Sequence, residues 1–221
     1  MMPKPPRGWK GCFMKLEWLG HSCFRLTNAA GGVIITDPFD PSVGYPVPAG
    51  KADIVTMSHH HHDHDFLGDI SADNVLDTVC DSEIACFRIT SMMSFHDDCG
   101  GSKRGNNLLF KFVADGQTVV HLGDLGHFPT EEQLAFLADA DVMLIPVGGF
   151  FTIDTDTALK VVKAAAPKTV IPMHFNNSCC KFPISDENKF VSALGGAYAG
   201  SCVVETRGLT GCIVLKYPAG D

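Results

Sequence analysis

Apolar and polar positions alternate along the first half of the chain, and helical spacing enters only in the second. Residues 14–27 (MKLEWLGHSCFRLT) predict two strands broken at Gly20, and 33–36 (VIIT) a third that ends at Asp37 and Pro38. Four prolines and two glycines make 38–50 a loop. A short apolar strand at 53–57 (DIVTM) then runs straight into a histidine-rich segment. Further strands are expected at 75–79, 84–90, 107–114 and 118–122. The first helix is expected at 130–138, with Thr130 as N-cap and acidic residues in the first turn. Strand 142–146, helix 155–166, strand 169–173, helix 186–195 and strands 202–206 and 211–216 complete the pattern. Strands first, then alternating strands and helices, describe sheets covered by helices in one unit, with functional residues where strands end in loops.

Composition narrows the function classes. The 221 residues suffice for one sizeable core, and 45% hydrophobic against 19% charged residues is a globular balance. Glycine (22) and proline (13) together make about one residue in six, which favours short strands and turns over a helical bundle. A net charge of −8 disfavours extended nucleic-acid and anionic-membrane binding. Runs such as 142–147 (VMLIPV) are too short to span a bilayer. The nine cysteines are an odd number without zinc-ribbon spacing, and no secretory segment precedes them. They read as mostly reduced and buried thiols in a cytoplasmic protein. Residues 1–13, with three prolines, read as a dispensable leader, leaving 14–221 as a single domain.

Five of the ten histidines fall between positions 59 and 64, in the run Ser58, His59, His60, His61, His62, Asp63, His64, Asp65. A purification tag would not be internal, interrupted by Asp63 and preceded by a strand, and a solvated loop has no need of carboxylates in register. Imidazole and carboxylate are ligands of borderline divalent metals. In extended backbone His59 and His61 point the same way and can share one ion, while Asp63 and His64, after a turn, can serve a second. Spacing alone also allows His60 with His64 on a helix. The preceding strand favours the extended register. Other ligands must come from elsewhere, and His96, Asp124 and His174 each follow a predicted strand.

The run His59-x-His61-x-Asp63-His64 resembles the signature of the metallo-β-lactamase fold superfamily. More closely, segments 18–24 (WLGHSCF), 35–39 (ITDPF), 95–98 (FHDD), 104–107 (RGNN), 121–127 (HLGDLGH), 145–149 (IPVGG) and 170–174 (VIPMH) resemble the branch that includes L-ascorbate-6-phosphate lactonase and many metal-dependent hydrolases. The resemblance implies an α/β (α+β) fold, a four-layer αββα sandwich. It implies that His59, His61 and His96 hold one metal, that Asp63, His64 and His174 hold a second, and that Asp124 bridges them. Asp37 matches the buried acid that supports the ligand loop.

The activity expected is hydrolysis of a small ester, lactone or phosphoester by a dinuclear centre, with a metal-bridging hydroxide as nucleophile and Asp63 as proton acceptor. Zn²⁺ is the first expectation and Mn²⁺ the second. His21 stands at a strand break by the site, as a pocket contact or a structural hydrogen-bonding residue. His121 alternates with apolar neighbours and reads as a core histidine. His127 is expected in the pocket wall, and Arg104 is either an anion clamp or a surface residue. Rival expectations are a metallo-ribonuclease or phosphodiesterase of the same superfamily, a non-catalytic metal-binding protein, and a di-iron oxidoreductase, which His61 disfavours. The expected partner is a small molecule, with homo-oligomerisation left open.

Overall fold

The computed structural model describes residues 13–218. All but the last residue of the expected leader lies outside the described residues. Phe13, that last residue, lies under the Arg207 guanidinium, 4.4 Å from ring centroid to Cζ.

Two mixed sheets face each other. The first holds β1 (Lys15–Gly20), β2 (Cys23–Thr27), β3 (Val33–Thr36), β4 (Ala49–Thr56), β5 (Asp69–Leu76) and β13 (Val203–Glu205), in the order β13-β1-β2-β3-β4-β5. The second holds β6 (Asp81–Ile84), β7 (Phe87–Phe95), β8 (Asn106–Ala114), β9 (Gln117–His121), β10 (Val142–Pro146), β11 (Thr169–Met173), β12 (Ala197–Tyr198) and β14 (Gly211–Val214), in the order β12-β14-β11-β10-β9-β8-β7-β6. Alternation on the first sheet decides its two faces. Leu16, Trp18, Phe24, Leu26, Ile34 and Ile54 turn inward and join Phe110, Phe112 and Val119 of the second sheet in the main core. Cys23, Ile35 and Val55 turn outward.

Three helices follow the expected bounds closely: α1 (Glu131–Leu137), α2 (Thr155–Ala165) and α3 (Asn188–Leu194). Thr130 and Gln133 form a reciprocal capping box on α1, and Asp154 caps α2. The helices line up along the second sheet, α1 against β7 and α3 against β14, with α2 between them. The two-sheet sandwich is the expected fold. Among the described residues its outer layer over the first sheet is built from loops, not helix: Phe39, Val43, Tyr45, Cys180 and Ile184 close over Ile35 and Val55.

Three strand expectations shift. The run 84–90 is not one strand: the chain turns back at Ala85 and Cys86, at φ +49° and +63°, between β6 and β7. Such a turn ordinarily carries Asn or Gly, so its sequence gives no warning. β5 begins at Asp69, ahead of the expected 75–79, because it is an edge strand paired only with β4 and largely exposed. The short β12 was not expected. The cysteines also differ from expectation. Among the described residues all are free, and Cys23, Cys180 and Cys212 are buried, but Cys86 and Cys99 are exposed.

The parallel pairs β3-β4 and β9-β10-β11 align their C-terminal ends at one rim of the sandwich. The β1-β2 turn and the end of β7 open at the same rim. Among the described residues no helix is long and apolar enough to cross a membrane.

Candidate metal centre

The site is built outward from Asp37, a fully buried residue held at φ +40° just after β3. Its Oδ1 accepts the Ser58 N–H at 2.7 Å, and its Oδ2 accepts the Ser58 hydroxyl at 2.7 Å and the His64 Nδ1–H at 2.9 Å. With its proton committed to Asp37, Ser58 Oγ accepts from His59 Nδ1 at 2.9 Å. The bond to Ser58 leaves His59 a bare Nε2 facing inward, and the bond to Asp37 commits His64 Nδ1 and turns its Nε2 inward; burial would lower the His64 imidazole, but Asp124 and Asp63 push it well above its ordinary value. Both Nε2 atoms are buried without a hydrogen-bond partner. Burial would raise the Asp37 carboxyl, but the His64 hydrogen bond and the His121 and His64 charges hold it below its ordinary value.

The chain leaves β4 in a bend at Ser58 and His59, not in continued strand, and turns again where the His64 and Asp65 N–H groups bond the His61 carbonyl at 2.8 and 3.1 Å. His59 and His61 still reach one side, and with His96 offer three ligand atoms mutually within 4.8 Å. His60 and His62 stay exposed outside this group.

A second group joins His21, Asp63, His64 and His174, and a third His59, His64 and Asp124, both within the same limit. Asp124 lies between the first two: its Oδ1 is 3.3 Å from His64 Nε2, and its Oδ2 is 3.3 Å from His96 Nε2 and 3.2 Å from His174 Nε2. Two residues to which the sequence assigned no role position it. Asn107 Oδ1 accepts the Asp124 N–H at 2.9 Å, while its amide donates to Ser94 Oγ and the Leu122 carbonyl. Gly123, at φ +53°, lets the turn pass Asn107 and Ser58, because a Cβ there would stand 2.3 Å from Asn107 Oδ1. The signals for Asn107 were the polar pair opening the apolar strand 106–114 and its place in the segment 104–107 (RGNN).

The supporting residues separate by role. His121 bonds the Ser22 carbonyl through Nε2 and accepts the Gly123 N–H at Nδ1, bracing the turn that carries Asp124. His127 stands outside the three groups; it accepts the Phe95 N–H at 3.3 Å, next to His96. Asp97, buried beside His96, accepts the N–H groups of Cys99, Gly101, Lys103 and Arg104 at 2.8–2.9 Å and closes the 97–104 loop. From that loop Arg104 donates to the Phe150 carbonyl at 3.1 Å and lies 5.7 Å from the Phe151 ring centroid. With His59, His61, Val79, Met93 and Leu108 it lines a cavity of about 390 Å³.

The electrostatics suit divalent cations. Burial would raise the Asp63 carboxyl, but the His64 charge and the His21 hydrogen bond hold it well below the usual range. Burial likewise opposes ionisation of Asp124, yet His174 and His64 keep it ionised. Burial and then His64 push His59 down to about 2, so it presents a neutral imidazole. Orphaned Nε2 atoms on His59, His64 and His174, an orphaned Asp124 Oδ1, and buried carboxylates among them form a donor set that fits metal ions.

Comparison with known proteins agrees with this chemistry. A family described as "Beta-lactamase superfamily domain" matches residues 15–174. A UPF0173 metal-dependent hydrolase of Methanoculleus marisnigri is 31% identical over 202 residues, 79% of this chain and 85% of that protein. One of Pelotomaculum thermopropionicum is 30% identical over 232 residues, 88% of this chain and 98% of its own. A Thermotoga maritima crystal structure, described as a candidate zinc-dependent hydrolase of the metallo-beta-lactamase superfamily, is 32% identical, covers 91% of this chain and 98% of its own, and has a TM-score of 0.76. With the two-sheet fold, the rim of strand ends and the His/Asp donor set in place, the chain belongs to the metallo-beta-lactamase superfamily, among its metal-dependent hydrolases.

Proposed function

We propose that the protein hydrolyses a small ester, lactone or phosphoester with a dinuclear centre. The observation that carries this is the position of Asp124, whose two carboxylate oxygens face imidazoles of both ligand groups. In this reading His59, His61 and His96 hold one ion, Asp63, His64 and His174 the other, and Asp124 is shared. Divalent ions held there would ease deprotonation of water at neutral pH and polarise the substrate oxygen under attack.

The rest is the work of the chain. Asp37 and Ser58 hold His59 and His64 in their ligating tautomers. Asp63 takes the proton of the attacking water, a role open to a carboxylate that faces the imidazoles of His64 and His21. Arg104 and the apolar Val79, Met93 and Leu108 bound the substrate cavity, which suits a small molecule. Zn²⁺ is the first choice of metal and Mn²⁺ the second. A cytoplasmic setting and a single catalytic domain from Met14 onward belong to the same proposal. The net charge of −8 counts against a ribonuclease.

Elemental analysis of metal-replete protein tests the centre, and a panel of lactones and phosphoesters with and without chelator tests the chemistry. Two ions per chain and chelator-sensitive turnover on one class are expected. A single ion at saturation, or turnover indifferent to chelator, overturns the proposal.

A further inference from the structure

His21 occupies an unusual position for a residue with only a structural role. It sits in the tight β1-β2 turn at φ +50°, a conformation costly for a residue with a Cβ, after Gly20 at φ +114°. A Cβ on Gly20 would stand 2.6 Å from the Tyr45 ring, so the turn is pressed into place. The His21 carbonyl accepts the Trp18 indole N–H at 3.0 Å and the His174 N–H at 3.3 Å. His174 is itself at φ +51°, and the two rings lie 4.1 Å apart between centroids. Two strained histidines are thus fastened to each other across the sheets. Both are fully buried, and His21 Nε2 points at Asp63 Oδ2.

Contact distances in the centre fall into two sets. Bonds between ligands and their supports are short: 2.9 Å for His64 to Asp37, 2.9 Å for His59 to Ser58, and 2.7 Å for Ser58 to Asp37. Contacts between residues that face the metal positions are longer: 3.3 Å for His64 to Asp124, 3.2 Å for His174 to Asp124, and 3.7 Å for His64 to Asp63. Two donors around one ion at bond lengths of roughly 2.0–2.2 Å stand about 3.0–3.4 Å apart. His21 Nε2 to Asp63 Oδ2, at 3.3 Å, belongs with the second set and is long for an N–H···O bond to a carboxylate. His21 also lies within the 4.8 Å limit of Asp63, His64 and His174 at once, a closure that a hydrogen bond to Asp63 alone does not require.

We infer that His21 is a fourth protein ligand of the second metal ion, through Nε2, beside Asp63, His64 and His174. The inference rests on the two-ion reading of the site. His21 Nδ1 has no hydrogen-bond partner, and neither has His174 Nδ1, so that feature does not separate His21 from a residue already counted as a ligand. With Asp124 added, the second position has five protein donors. That crowding favours an ion at ease with five or six ligands, such as Mn²⁺ or Fe²⁺, over a four-coordinate Zn²⁺. The first position, with His59, His61 and His96, keeps the sparser set that suits zinc.

The test uses full-length protein reconstituted with Mn²⁺ or Co²⁺, comparing wild type with His21→Ala and His21→Gln. Metal content after gel filtration and competition against a chelator give stoichiometry and second-ion affinity without any substrate. Both variants should keep the first ion and lose second-ion affinity by more than the roughly 10–100-fold that an outer hydrogen-bonding partner contributes. The visible spectrum of the Co²⁺ form should change with the altered coordination. Glutamine keeps an N–H donor for Asp63 but removes the imidazole. Wild-type affinity in His21→Gln therefore makes His21 only a support for Asp63 and overturns the inference. Two ions held at unchanged affinity in both variants overturn it as well and leave the two-ion centre standing, whereas one ion in the wild type removes both. Should the variants fail to fold, paramagnetically shifted imidazole signals of Co²⁺-loaded wild type decide: six ligating histidines support the inference, and five overturn it.

Discussion

Of His59, His61 and His96, the first two line a cavity and His61 is exposed, whereas His21, Asp63, His64 and His174 are all buried. In the open group His59 is braced by Ser58, but His61 is exposed, and the loop after His96 is held by one carboxylate, Asp97. The buried group is locked from several sides, His64 by Asp37, His174 by the His21 carbonyl, and Asp63 by the facing imidazoles. The contrast divides the labour. Under the proposed function a substrate would approach from the side of Arg104 and the apolar cavity wall, and the buried side would supply the charge that holds the metal.

Asp124 is the member common to both sides, so its removal should erase the difference between them. Asp124→Ala is expected to abolish turnover and to reduce metal content below one ion per chain in metal analysis. Asp124→Asn should keep the Asn107 hydrogen bond, which uses the Asp124 backbone N–H, yet still fail to hold two ions. If either variant retains two ions at wild-type affinity, the two groups are independent sites and Asp124 does not couple them.

Asp63 belongs to the buried group alone. Asp63→Asn keeps the shape but removes the negative charge and the basic oxygen. At saturating metal, turnover should fall by roughly 10²–10⁴-fold, the range for lost acid–base assistance. The first ion should stay and the second weaken. Asp65→Asn should cost far less, since Asp65 faces the exposed His60 at 3.4 Å. Normal turnover in metal-replete Asp63→Asn would leave Asp63 as a replaceable ligand.

Asn107 tests how far the support of Asp124 matters. Asn107→Ala leaves the Asp124 N–H and the Leu122 carbonyl without their partner in a buried turn. A loss of metal affinity of roughly 10–100-fold is expected by chelator competition. Destabilisation of about 1–3 kcal/mol should appear in denaturant unfolding of the metal-free protein. Unchanged affinity would mean that Gly123 and His121 suffice to aim Asp124.

Much of this centre was legible in the sequence, for a physical reason. His59 to His64 lie within one turn of chain, so their chemistry is visible as a local run, and His96, Asp124 and His174 announce themselves at strand ends. The helices were legible for the same local reason, as the Thr130 capping box illustrates. His21 was ambiguous, because its partner Asp63 is 42 residues away and only the meeting of the β1-β2 turn with the loop after β4 brings them together. Asn107 and Ser58 act through hydrogen bonds to residues distant in the chain, Asp124 and Asp37, that no spacing encodes. The hairpin at Ala85 and Cys86 and the loop layer over the first sheet were hidden for a related reason: tertiary packing, not local propensity, holds them.

His60 offers the smallest effect and the sharpest check on register. The bend at Ser58 and His59 throws its ring outward, where it lies 3.4 Å from Asp65 and 3.5 Å from Asp77, both substantially exposed. Exposed pairs of this kind contribute about 0–1 kcal/mol, and a histidine contributes only when protonated. His60→Ala should therefore keep both ions and lose at most about 1 kcal/mol of stability. His59→Ala, assayed in parallel by metal content, should lose an ion, since its Nε2 faces inward without a protein partner and its Nδ1 is fixed by Ser58. The reverse result, with metal stripped by His60→Ala and retained by His59→Ala, would place His60 rather than His59 at the metal and break the division between an open and a buried group at its root.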